Sequence, residues 1–154
     1  MERTAKHYLS RARHLDTEIE ALLQQKQQIY DSITRITQNY DADITSGSED
    51  PHKYDKLVEL IEIIDRKTDE YVDALKEINQ TIMKVPDDRQ RNVLLLYYTV
   101  KDGKTNKPLT WEQVAVWQHY SWKQTRRIHA KALSAVDEIL EEREIDRVLE
   151  GRCP

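Results

Sequence analysis

Phenylalanine is absent from this chain of 154 residues, and glycine, proline and cysteine are scarce, at three, four and one. Each shortage excludes something. Without Phe, and with 38% apolar against 34% charged residues, a large spherical core is not expected, whereas elongated helices need little interior. Glycine stands only at 47, 103 and 151, which removes glycine-rich phosphate loops and leaves long stretches free to be helical. Cys153 has no partner in the chain, so a disulfide framework is excluded and a reducing compartment fits. The opening Met1-Glu2-Arg3 lacks an apolar run and no segment approaches a membrane span, so a cytoplasmic location without signal peptide or membrane contact is expected. No His-Glu-x-x-His, no cysteine pair and no glycine-framed nucleophile is present; an enzyme, a metal site and a bound cofactor are all unexpected.

Acidic residues are unevenly missing. Residues 1–85 hold 12 Lys and Arg against 17 Asp and Glu, a balance of −5, while residues 86–154 hold 12 against 11, a balance of +1. Between Glu112 and Asp137 there is no acid at all, yet Lys123, Arg126, Arg127 and Lys131 fall there. Local sign, rather than the total of −4, decides what a surface attracts.

What is present is periodicity. Ala5, Tyr8, Ala12, Leu15, Ile19, Leu22, Lys26, Ile29, Ile33, Ile36 and Tyr40 follow strict 3-4 spacing, with Lys26 the one charged member. A hydrophobic period of about 3.5 residues keeps an apolar stripe facing one partner helix. After a break at 41–52, Tyr54, Leu57, Ile61, Ile64, Thr68, Tyr71, Leu75, Ile78, Ile82 and Val85 resume the spacing until Pro86. Two seams of matching length across a short loop predict a long antiparallel coiled-coil hairpin over residues 1–85. Leu15, Ile19, Leu22, Ile29, Ile33, Ile61, Ile64, Leu75 and Ile78 are its expected association residues. Val58, Leu60, Ile63 and Val72 widen the second stripe, so a homo-oligomer, most simply a dimer, is expected. His7 and His14 flank the seam and read as solvated, since no further ligand arrives at usable spacing.

Residues 86–136 read differently. Asp87 with Gln90, Thr110 with Gln113 and Ser121 with Gln124 have capping-box spacing, predicting helices over about 88–100, 111–118 and from 122. Only His119-Tyr120-Ser121 separates the last two. A short helix, a tight turn and a helix opening with basic residues make a helix-turn-helix, whose second helix meets base edges in the major groove. Val93, Leu94, Leu96 and Tyr97, then Trp111, Val114 and Ala115, then Thr125, Ile128, Ala132 and Leu133 form the expected inner faces. Trp122, Lys123, Gln124, Arg126, Arg127 and Lys131 are left outward, with Ser121 capping the helix beside the duplex. These are the candidate contacts to double-stranded DNA.

The run RQRNVLLLYY and then LTWEQVAVWQHYSWKQTRRIHAKAL resembles the C-terminal helix-turn-helix of bacterial sigma factors, region 4, above all in its Ile128-His129-Ala130-Lys131-Ala132-Leu133 ending. With the heptad-rich half attached, the chain is similar to small phage and prophage late-gene transcription activators of the RinA and ArpU type. The resemblance implies an all-α protein that binds a promoter or operator in a bacterial host cell, with host RNA polymerase as a further partner. It gives Trp122, Lys123 and Arg127 to bases and Arg126 to phosphate. Where that family places glycine in the turn this chain has His119, which must either adopt a left-handed conformation or reshape the turn. Gln118 stands at an expected core position, with Trp117 as the neighbouring source of apolar bulk. The lysines of Lys101–Leu109 either meet phosphate or are solvated. Residues 137–154 form an acidic helical tail that either packs on its neighbours or contacts polymerase or a second chain. Two other functions fit the same layout, a terminase-like DNA-packaging recognition subunit and a coiled-coil adaptor for protein interaction.

Overall fold

The structure, a computed structural model, describes residues 2–42 and 52–151, with side chains in the first helix from Thr4 to Gln38. The Tyr40 side chain, Gly47, residues 43–51 of the expected loop and Cys153 lie outside the described residues. The described residues are all-α, in five helices: α1 (Glu2–Ala42), α2 (Lys53–Met83), α3 (Asp88–Thr99), α4 (Trp111–Gln118) and α5 (Trp122–Glu150). Their one extended pairing is an isolated bridge between Lys101 and Pro108. None of these helices is long and apolar enough to cross a membrane.

Neither α1 nor α2 contains Gly or Pro, so nothing interrupts their backbone ladders. Helix α2 stops at Met83, ahead of Pro86, because the residue before proline is driven out of the helical region. Its end tightens first, with Lys84 N–H donating to Thr81 C=O at 3.2 Å and Val85 N–H to Ile82 C=O at 3.0 Å. The expected continuation to Val85 is thus two residues too long.

The chain divides into two compact units. One gathers Leu15–Ala74, the other Met1–His14 with Leu75–Pro154. In the first, Ile29, Ile61 and Ile64 are buried, with Leu22, Ile33, Leu57 and Leu60 packed against them. Lys26, the charged seam position, reaches Asp65 with Nζ 2.6 Å from Oδ1. That hydrogen bond holds the Lys26 ammonium above its ordinary pKa, against a smaller opposing effect of desolvation. Of the nine expected association residues, Leu15, Ile29, Ile61, Ile64 and Ile78 are buried and Ile19, Leu22, Ile33 and Leu75 half-buried within the chain itself. Among the described residues of this unit the large apolar side chains left outward are Leu23, Tyr30, Tyr54, Ile63 and Val72.

In the second unit the start of α1 departs from strict 3-4 spacing. Ala5, Leu9 and Ala12 are buried, and Tyr8 is only half-buried. The reason is polar: Tyr8 Oη sits 3.0 Å from Thr81 Oγ1 and accepts from Arg143, which also pairs with Glu77. Ala5 N–H donates to Asp137 Oδ1 at 3.0 Å, so a carboxylate from α5 satisfies an amide in the first turns of α1. The expected helical tail is the continuation of α5, which runs unbroken from Trp122 through residues 137–150.

Lys26 holds a seam position at the cost of apolar contact. Lys26→Ile is expected to raise the thermal midpoint in a circular dichroism melt by adding apolar contact to the seam; a lowered midpoint would mean that the Asp65 pair outweighs the seam.

Candidate nucleic-acid interface

Three caps set the helices that carry this surface. Asp87 accepts from the Arg89 and Gln90 amides at 2.8 and 3.1 Å. Thr110 with Gln113, and Ser121 with Gln124, form reciprocal capping boxes at the starts of α4 and α5. Gln113 also donates to Asp102 at 3.1 Å. Asp102 accepts as well from Lys104 N–H and Thr105 Oγ1, which lowers its carboxyl pKa, the Lys104 amide first. The 101–108 loop is thereby folded back onto α4, with Lys104 and Lys107 exposed at its tip.

Between α4 and α5 the chain turns on His119, which adopts the left-handed region at φ 58°, ψ 35°. His119 N–H donates to Val116 C=O at 3.2 Å and Tyr120 N–H to Ala115 C=O at 3.1 Å, the two bonds of a Schellman ending. Of the two expected routes the chain takes the left-handed one, with a histidine where glycine is unstrained. Trp117 does not replace the missing core residue at Gln118, since it is 62% exposed beside Val116 at 73%. The inner space is filled instead by Val93, Leu96, Leu109 and Val114, with Tyr97, Val100, Trp111 and Ile128 against them.

The expected contact residues are brought together on the first turns of α5. Ser121, Trp122, Lys123, Gln124, Arg126, Arg127 and Lys131 are all exposed, while Thr125, Ala132 and Leu133 are buried. Two are already engaged. The Gln124 carbonyl oxygen lies 3.1 Å from Ser121 N, so this oxygen is already taken by the cap. The Arg126 guanidinium lies over two indoles, 5.1 Å from the Trp111 centroid and 5.4 Å from that of Trp122. Such cation–π contacts hold its charge beside the two rings. Among the described residues no ion pair holds Lys123, Arg127 or Lys131, and no group of three His, Cys, Asp or Glu could hold a metal.

Beneath this face lies an aromatic cluster that periodicity did not reveal. Tyr97 stacks on Trp111 at 3.8 Å and 12°, and His129 meets Trp111 edge-on at 4.5 Å. Tyr98 Oη and His129 Nε2 are 2.8 Å apart and buried. Arg13 of α1 covers Tyr97 at 4.4 Å from the centroid and donates to Leu109 C=O at 3.3 Å. Burial raises the Tyr98 phenol well above its ordinary value. Burial, then the charges of Arg126 and Lys6, lower the His129 imidazole to about 4.

His129 is therefore neutral at physiological pH. The unfolded chain takes up a proton near pH 6.5 that the folded chain refuses until about 4, so this stability is full above 6.5 and is lost as pH falls through that window. The limiting slope is about 1.4 kcal/mol per pH unit. Urea titrations from neutral to acid pH are expected to show it in the wild type and not in His129→Gln; parallel curves would contradict a buried neutral imidazole. Separately, His119→Gly relieves the left-handed strain and is expected to stabilise by about 0.5–1 kcal/mol. An unchanged or lowered thermal midpoint would show that the His119 ring makes up the difference.

Comparison with protein-family models, with curated proteins and with solved structures returned no match.

Proposed function

We propose that this chain is a sequence-specific DNA-binding transcription regulator, a phage or prophage late-gene activator, in which α4, the His119 turn and α5 act as a helix-turn-helix. One observation carries the reading. The capped first turns of α5 present Trp122, Lys123, Arg126 and Arg127 to solvent on a segment without a single acid from 113 to 136. The partial positive charge of the helix start adds to theirs. Arg127, exposed and not stacked, suits a guanine edge; Arg126, pinned between two indoles, suits a phosphate at a fixed position.

In the same proposal α1 and α2 form an antiparallel hairpin, supported by the pairing of Lys26 with Asp65 and by the shared Ile29, Ile61 and Ile64 cluster. Three buried isoleucines are a small core for a unit of that length. Leu23, Tyr30, Tyr54, Ile63 and Val72 are then exposed apolar positions open to a second copy. A sedimentation mass equal to one chain at micromolar concentration would count against this pairing, and a ring-sized mass would favour DNA packaging over regulation.

Selection of bound duplexes from a random pool at physiological salt is expected to enrich a motif, and a pool without enrichment removes the proposal. On the enriched site Arg127→Ala is expected to cost roughly 1–3 kcal/mol and to relax base preference. Arg126→Ala is expected to weaken enriched and random DNA equally; the opposite pattern would exchange the two roles.

A further inference from the structure

We infer that the first turns of α1 extend the DNA-contacting surface beyond the helix-turn-helix, with Lys6 taking a backbone phosphate next to the site met by α5. This rests on the DNA-binding function proposed above. Residues 3–15 hold Arg3, Lys6, Arg11 and Arg13 with His7 and His14, and contain no acid. Four cations in 13 residues without an acid match the basic start of α5 in kind. Residues 1–14 belong to the same compact unit as α3, α4 and α5.

The helical register decides which cations face the nucleic-acid interface. Ala5, Leu9 and Ala12 mark the buried stripe of α1. At about 3.6 residues per turn, Lys6 and Arg13 flank that stripe on one side and Tyr8 on the other. The two flanks have different neighbours. Tyr8 meets Thr81 and Arg143, whereas Arg13 lies on Tyr97, which stacks on Trp111, which in turn carries Arg126. Lys6, two turns from Arg13 on the same flank, is therefore on the side turned toward the Arg126 cluster. The bond from Ala5 N–H to Asp137 fixes the helix immediately before Lys6. His129 lies within the electrostatic reach of both Lys6 and Arg126, which agrees with this placement.

Lys6 is exposed, and among the described residues no ion pair holds it. A lysine ammonium is a compact point charge on a flexible stem, suited to phosphate and unsuited to bidentate reading of a base. The surface thus gains affinity without adding sequence preference.

The test is the salt dependence of binding by the full chain, on the enriched duplex and on a random duplex, between roughly 50 and 200 mM salt. Lys6→Gln is expected to reduce the slope of log K against log salt by about 0.9 on both duplexes, with the melting curve unchanged. Lys6→Arg is expected to keep the wild-type slope, and so is Lys53→Gln in the other unit. A Lys6→Gln slope equal to wild type overturns the inference while leaving the α5 assignment intact if Arg127→Ala still relaxes preference. A wild type with no salt-dependent DNA binding overturns both.

Discussion

The hydrogen bond between Tyr98 and His129, roofed by Tyr97 and Trp111, is the constraint on which the helical surface of α5 depends. It joins α3 to α5 at a point where both partners are buried, so neither group has water as an alternative. His129 lies one turn beyond Arg126, and Trp111 touches both. The contact of α4 with α5 and the cation–π contact of Arg126 consequently share one ring, that of Trp111. Because the imidazole is held neutral, the cluster adds no charge of its own beneath a face that already carries several cations. A protonated ring there would repel Arg126 and Lys6.

Much of this unit was legible in the sequence because its signals are local. Each of the three caps is a pair of residues three apart, and all three helix starts lie where those pairs place them. The inner residues of α3 to α5 follow from apolar spacing, with Val93, Leu94, Leu96, Val114, Thr125, Ala132 and Leu133 all buried. Spacing does not reveal which polar residue is paired in the interior. His129 stands beside Ile128 on the helix and reads as surface until its partner 31 positions away is known. Tyr98 escapes for the same reason, since apolar spacing assigns the inner face to Tyr97.

The larger gap between sequence and structure concerns α1. Its 3-4 pattern reads as one uniform seam, yet its residues up to His14 belong to the unit of α3 to α5 and those from Leu15 to another. The pattern cannot distinguish these uses, because a stripe that packs on one helix and a stripe that packs among several differ only in width. Leu9 is the residue that betrays the change. It falls between seam positions, and it is fully buried in the unit that holds α3 to α5. Arg13 carried no signal of its own, since a cation beside an apolar stripe is ordinary on any solvated helix.

Asp137 connects these observations. It is the first acid after the long basic stretch of α5, and on an exposed face it would begin to neutralise that surface. Instead it is buried, with its carboxylate accepting from the Ala5 amide in the first turns of α1. A negative charge is thereby withdrawn from the surface and placed at the positive end of a helix, where it stabilises. The same bond holds the basic start of α1 in the unit of α5. A chain of net charge −4 can in this way present cations from two helices in one compact unit. Fifteen of its 28 acids lie in the other unit, within residues 15–74. The segregation of charge, rather than its sum, is what this fold enforces.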